Sequence, residues 1–409
     1  MGQVEPLKIK SIDSLCVHAG WWARTDQPIV PPVSISKIPE WGSLDDAASI
    51  HFAYARSGNP TTAILEERMA ELEGSGQALA FPSGSSAIAT FFLTMEPGGH
   101  IILGDNLYGG TEWLAKNLLT KFLKVSFVDT TDIASIRAAI NKDTKWIFVE
   151  TPTNPLLKVV DLKALEALSN EKGVPYALDS TFATPVLLQG FDYGAKVIIH
   201  ASSKYLNGHN DLLGGVLITT DQAVAESCAL YRRRTGAVTD PRNSSEVLRG
   251  LETLAIRMEK HCDNAVKVAQ YLEGAASDGR IGTIYYPGLV SHPQHGIAQQ
   301  QMKGYGGVIS FEVVGDYQGF AREVNRTNNS GSVIYLSESL GGVQSLLAHP
   351  ATMSHRHMTT EEREAAGIKD NLFRLSVGIE NPDDIIASLQ YGLDRSRSNS
   401  ISQNGSQSQ

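Results

Sequence analysis

Between residues 77 and 219 the chain alternates short runs that are apolar throughout with stretches of helical spacing: "QALAF", "HIILGD", "KVSFVD", "KWIFVE", "PYALD", "KVIIH" and "GGVLIT". This feature constrains the fold more than any other. A strand with one wet face alternates apolar and polar residues. These runs offer apolar side chains to both faces, so both faces must be covered. Helices between successive strands supply that cover and return the chain to start the next strand in parallel. The expected core is an α/β domain with a mostly parallel seven-stranded sheet.

The flanks read differently. "TTAILEERMAELEG" has helical spacing and stops at Gly74. A long helix is expected around "SEVLRGLETLAIRMEKHCDNAVKVAQYLEG", and after it "GGVISFEVV", "SVIYLSESLG" and "LFRLSVG" read as strands of a smaller C-terminal α+β domain. "NPDDIIASLQYGL" is a final amphipathic helix with Asn381 as cap. Upstream, "QPIVPPVSISKIPEW" cannot form a continuous helix, because each proline removes a donor and disfavours helix before it. The expected division is an extended inter-subunit arm over 1–60, a large domain over 61–258, a small domain over 259–394 and a disordered tail over 395–409.

A chain of 409 residues can bury a substantial core in two or three domains. Its formal net charge of −9 argues against nucleic acid or an anionic membrane as partner. Cys16, Cys228 and Cys262 are far apart and form no CxxC, so neither a disulfide framework nor a metal site is expected. "MGQVEPLKIK" lacks an apolar signal core, Pro6 stands where a myristoylation motif wants Ser or Thr, and no apolar stretch is long enough to span a bilayer. The expected location is the cytoplasm.

One lysine breaks the apolar pattern. "HASSKYLNGHNDLLGG" begins as "KVIIH" ends and places Lys204 among small polar residues. A lysine at a buried strand end must be paired or uncharged, and a lysine of lowered pKa is suited to bonding a carbonyl cofactor. If that cofactor is pyridoxal phosphate, a carboxylate must hold its ring nitrogen, a helix N-terminus must receive its phosphate, and something must cover its ring. "PYALDST" ends a strand in Asp179, "FPSGSSAIATFFL" puts Ser83, Gly84, Ser85 and Ser86 at a strand-to-helix turn, and "DNLYGGT" places Tyr108 in a loop. Each alone is commoner as a helix cap, a turn or a packing ring. In chain order around one lysine they outweigh those readings.

The chain resembles the Cys/Met-metabolism family of pyridoxal-phosphate enzymes, which includes cystathionine γ-synthases, cystathionine lyases, methionine γ-lyases and O-acylhomoserine sulfhydrylases. The resemblance runs over about 16–393 through "YARSGNPTT", "FPSGSSAI", "LYGGT", "ETPTNP", "DSTFATP", "SSKYLNGHNDLLGG", "RGLETLAIRM", "SLGGVQSLLAHPATMSH" and "LFRLSVGIE". It implies a fold-type I pyridoxal-phosphate enzyme. Lys204 would be the Schiff-base lysine, Asp179 the partner of the ring nitrogen, and Tyr108 the stacking and proton-transfer residue. Backbone N–H groups of Gly84 and Ser85, with Ser203, would bind phosphate, and Asn154 would lie near the ring hydroxyl and the substrate. Arg374 and Ser339 would hold the substrate α-carboxylate, the guanidinium through two parallel bonds. Tyr54 and Arg56 would reach the phosphate of a neighbouring subunit, in a dimer-built site within a homotetramer.

The sequence departs from the family pattern at several places. Ala201 stands where a phosphate-contacting Ser is common, with Ser202 next to it as a possible substitute, and Ser85 replaces a usual Met. Ala53 and Gln344 stand where many cystathionine-forming or cleaving members carry acids, and Gly110 where methionine γ-lyases carry Cys. The resulting expectation is γ-replacement on an O-acyl-L-homoserine, such as O-acetyl-L-homoserine, by a nucleophile without an ammonium group: sulfide, a thiol or a carbon nucleophile. On this reading Tyr54 and Gln344 also contact substrate. The alternatives are a cystathionine γ-synthase or a β- or γ-lyase of sulfur amino acids and, from another class, a non-catalytic binding protein on this fold.

Overall fold

The computed structural model describes residues 11–21, 27–43 and 52–405. All seven apolar runs are strands: β1 (Gln77–Phe81), β2 (His100–Gly104), β3 (Lys124–Val128), β4 (Thr144–Glu150), β5 (Tyr176–Asp179), β6 (Val197–His200) and β7 (Gly215–Thr219). They form one sheet in the order β1-β7-β6-β5-β4-β2-β3. Only β7 runs against its neighbours. The inner strands use the two-faced apolar pattern as expected, whereas β3, at the sheet edge, is only half-buried and leaves Phe127 exposed. Ile102 and Leu178 enter one core with Leu65 and Met69, while Ile101, Leu103 and Val197 enter the other with Ile88 and Phe91.

The smaller sheet contains β8 (Ile281–Tyr285), β9 (Val308–Val313), β10 (Ile334–Leu336), β11 (Ser345–Ala348) and β12 (Leu372–Ser376), in the order β10-β11-β12-β9-β8. Three of these match expected strands. β8 and β11 are short runs that carried no clear period. "SVIYLSESLG" yields only three strand residues, because the chain leaves the sheet before Ser339, whose φ is +80°.

Helix Leu254–Ser277 crosses the expected boundary at 258/259: Leu254 and Met258 lie in the large core, Val268 and Leu272 in the small one. The arm is extended only in part. Ile12–His18 is a helix that buries Cys16 against the body, in a stretch free of proline. Beyond it, Ile29, Val30, Ile35 and Ile38 are exposed. Residues 1–10, 22–26 and 44–51 lie outside the described ones. The last helix runs Pro382–Gly405, well into the segment read as a disordered tail. No glycine or proline interrupts it between Gly392 and Gly405. Among the described residues no helix is long and apolar enough to cross a membrane, and no group of three His, Cys, Asp or Glu could hold a metal.

Candidate active site

The parallel strands bring their C-terminal ends to one edge. Register pairs Glu150 with Asp179 and Asp179 with Ile199, so β4, β5 and β6 end side by side. Both carboxyls are nearly fully buried. Asp179 Oδ1 accepts from Thr181 N (3.0 Å) and Thr181 Oγ1 (2.6 Å), and Thr181 Oγ1 accepts from Ala201 N (2.9 Å). Oδ2 of Asp179 has no hydrogen-bond partner among the described residues. Burial raises the Asp179 carboxyl, and the Thr181 donors and His200 oppose that. His200 is itself paired with the buried Glu73 at 2.5 Å.

Glu150 was not foreseen from sequence. It sits 4% exposed beneath two loops, accepting from Asn154 N (2.7 Å) and Tyr108 N (2.9 Å). Burial, with Asp179 beside it, raises its carboxyl well above the usual value. The available signal was "KWIFVE", a buried strand ending in an acid just as "PYALD" does.

Lys204 follows β6 in a tight turn, with Lys204 N donating to Ala201 O and Gly208 N to Lys204 O. Its Nζ donates to Ser339 Oγ at 2.8 Å. Burial and then Arg374 lower its pKa to about 8, against the opposing pull of Glu338. The amine thus lies against a hydroxyl of the small domain rather than hydrocarbon, and it is about half neutral near pH 8.

Arg374, on β12, completes the pocket from the small domain. It is 3% exposed. Nη1 donates to Asn154 Oδ1 (2.8 Å) and Nη2 to Ser339 O (2.7 Å), while the buried Nε has no partner. Burial lowers it to about 10. Glu338 is exposed at the same rim, close enough to raise both Lys204 and Tyr108. Tyr108 is 43% exposed, and burial of the rest of its ring, with Glu338, raises its phenol above the usual value.

At the Ser-Gly turn, Ser83 caps helix Gly84–Leu93 by accepting from Ser86 N at 3.1 Å. The amides of Gly84 and Ser85 have no partner among the described residues. A Cβ on Gly84 would lie 2.8 Å from Ala201 Cβ, and one on Gly215 would collide with Ser83 O, so the cradle exists only without those side chains. Ser203 lies beside it, with its N–H on Gly214 O (3.3 Å). Ser202 does not take the place of a serine at 201. Its hydroxyl faces Gly214, whereas Ala201 faces Gly84.

The remaining sequence-derived residues lie elsewhere. Gln344 is exposed, and its Oε1 accepts from Asn210 Nδ2 (3.0 Å). Six residues before Gln344, in "SESLGG", Glu338 is the carboxylate that acts on Lys204 and Tyr108. Arg56 lies over the Tyr54 ring (5.2 Å) and donates to Arg233 O (2.9 Å), away from the Lys204 pocket of its own chain.

Free amides for a dianion, a buried carboxylate with one oxygen open, an amine held near pH 8, and a buried guanidinium with an unused Nε–H fit pyridoxal phosphate and an amino acid together. With the two-domain architecture they define a fold-type I pyridoxal-phosphate enzyme. The match to known proteins agrees. The model of the Cys/Met metabolism PLP-dependent enzyme family covers residues 14–394, and the chain belongs to that family. It is 39% identical to a cystathionine beta-lyase of Coxiella burnetii over 94% of this chain and 98% of the relative. It is 41% identical to an L-methionine gamma-lyase of Fusobacterium nucleatum, over 86% of this chain and 88% of the relative. The structure of cystathionine gamma synthase from Xanthomonas oryzae in complex with cystathionine superposes with a TM-score of 0.90 at 34% identity, covering 96% of this chain and all of the other.

Proposed function

We propose that this enzyme cleaves a C–S bond of a cystathionine-type amino acid, releasing a thiol, a 2-oxo acid and ammonia. The observation that carries this is the pair of opposite charges flanking Lys204. Arg374 has an unused buried Nε–H for a substrate α-carboxylate, and Glu338 stands at the rim where a second, distal ammonium would lie. The lyases among the relatives support the same reading.

When bound, pyridoxal phosphate supplies the electron sink that makes the substrate Cα–H acidic. Asp179 Oδ2 would accept the ring N–H, with Thr181 fixing its other oxygen. The Gly84 and Ser85 amides, with Ser203, would hold the phosphate. Arg374 anchors the carboxylate, with Asn154 Oδ1 and Ser339 O fixing the guanidinium plane. Lys204 Nζ, about half of it neutral at pH 8, takes the Cα proton and carries it onward as an ammonium that donates to Ser339 Oγ between steps. Tyr108 would cover the ring, and its phenol, kept protonated by burial and Glu338, would deliver a proton to the departing sulfur. Tyr54 and Arg56 complete the phosphate site of a second copy in a homo-oligomer, which fits their place outside the pocket of their own chain.

The second reading, γ-replacement on O-acyl-L-homoserine, draws on the likeness to a cystathionine gamma synthase and on Ala53. The test is product analysis with the cofactor-loaded enzyme. L-cystathionine alone should give homocysteine and pyruvate, or cysteine and 2-oxobutanoate. Inertness toward cystathionine, with rapid sulfide- or thiol-dependent consumption of O-acetyl-L-homoserine and no 2-oxo acid, would replace the lyase reading by the second.

A further inference from the structure

Arg257, on helix Leu254–Ser277, is 4% exposed, and no carboxylate among the described residues pairs with it. Its hydrogens go mainly to backbone carbonyls: Nη1 to Tyr205 O (2.7 Å), Nη2 to Gly250 O (2.6 Å) and Leu206 O (3.4 Å), with Nε on Thr253 Oγ1 (3.0 Å). Burial lowers it to about 10. Burying a guanidinium without a counter-anion is costly. What offsets the cost here is backbone carbonyl oxygens from two segments, one of them a helix C-terminus that already carries negative partial charge. One is the C-terminal turn of helix Pro241–Leu251, and the other is the turn that follows Lys204.

The surroundings are cut to fit this grip. Gly208 has φ +79°, and a Cβ there would collide with Arg257 Nη1. A Cβ on Gly250 would collide with Asn207 O, so the helix rests directly on the turn. The turn is closed by Asn207 N on Ser202 O (3.0 Å) and Gly208 N on Lys204 O (2.8 Å). Gly208 O then accepts from Val343 N (3.0 Å) of the small domain.

We propose that Arg257 is a positioning residue for Lys204: by holding the carbonyls of the next two residues it fixes the turn from which Nζ points at Ser339 and at the cofactor. This rests on the reading that Lys204 carries the cofactor. Arg68 is the natural control. It is equally buried and also sits on carbonyls, Ala19 O (2.7 Å), Cys16 O and Leu248 O (both 3.3 Å), none of them next to Lys204.

The experiment loads wild type, Arg257→Lys, Thr253→Val and Arg68→Lys with pyridoxal phosphate and reduces them with borohydride. Lys204 Nζ condenses with the cofactor aldehyde carbon, water leaves, and hydride plus a proton convert the C=N bond to a stable C–N bond. Peptide mass spectrometry gives the fraction of bound cofactor fixed to Lys204, beside total bound cofactor, kcat and KM. Arg257→Lys should lower the fixed fraction and kcat about tenfold, the size of one lost hydrogen bond to a charged group, with KM little changed. Thr253→Val, which removes an acceptor at an exposed position, should lower both less. Arg68→Lys should lower the melting temperature and leave the fixed fraction as in wild type. Wild-type fractions in folded Arg257→Lys and in Thr253→Val overturn the proposal, and so does a loss in Arg68→Lys as large as that in Arg257→Lys. Label on a residue other than Lys204 in wild type refutes the cofactor reading itself.

Discussion

The two rims of the pocket are built by different means. The large-domain rim, with Glu150, Asp179 and Lys204, stands at and just beyond the ends of adjacent parallel strands: register places the two carboxylates, and the turn after β6 carries the lysine. The small-domain rim, with Glu338, Ser339 and Arg374, comes from a loop and one strand, and is set by a few contacts across the seam. These include Ser310 Oγ on Pro155 O (2.6 Å), Arg374 on Asn154, and Val343 N on Gly208 O. The strand ends form a rigid frame suited to a permanently bound cofactor. The loop side suits a substrate that must enter and leave. On the proposed function, cofactor chemistry falls to one rim and substrate recognition to the other.

The largest test of this division is Lys204→Ala. Turnover should fall by at least ~10³-fold, within the range for loss of a positioned acid–base group, while pyridoxal phosphate still binds through its phosphate and ring. Turnover within about tenfold of wild type would remove the lysine from the chemistry. Next comes Arg374→Met on the opposite rim. Losing charge-assisted bonds to the substrate carboxylate should raise KM by ~10–100-fold, with cofactor content unchanged. Loss of cofactor in this variant would break the division of labour. A third test asks whether the two rims suffice. Lys204→Ala and Arg56→Ala chains, each impaired, should regain activity when mixed dimers form, because one site then has both residues intact. Verified mixed dimers without recovery would confine the site to one chain.

The same contrast explains what the sequence disclosed. The seven strands, Asp179 and Lys204 were legible because apolar runs separated by helices imply a mostly parallel sheet, and its strand ends lie side by side. Glu150 obeys the same logic at the end of "KWIFVE" and could have been read there. The small-domain rim was harder. Ser339 turns out of the strand pattern at φ +80°, so nothing periodic places its neighbour Glu338. Gln344 attracted attention by motif position, yet its side chain is spent on Asn210. Arg257 was hidden for another reason. A helix arginine normally reads as surface charge, and only the folded turn reveals the carbonyls that hold it.

The smallest expected effect is also the most discriminating, because it asks whether the substrate rim tunes the cofactor rim. Burial dominates the lowering of Lys204 to about 8, and Arg374 adds to it, while Glu338 works against both. Capture of pyridoxal phosphate requires the neutral amine. Below that value the capture rate should therefore climb with pH, about tenfold per unit as the neutral fraction does, and level off above it. Arg374→Met removes a cation that disfavours the ammonium, so the midpoint should move up. Glu338→Gln removes an anion that favours it, so the midpoint should move down. Each shift should be under about one pH unit, since burial is the larger cause and charges in proteins act through an effective dielectric of about 20 even at buried sites. Stability follows the same sign in the cofactor-free protein. The unfolded chain binds the Lys204 proton more tightly than the folded one, so this group's contribution improves as pH rises from about 8 toward the ordinary lysine value. Stopped-flow absorbance across pH, on all three proteins, reads the midpoints directly. Opposite shifts tie the two rims electrostatically. Shifts of the same sign, or none, would mean that burial alone sets the lysine and that Glu338 and Arg374 serve only the substrate.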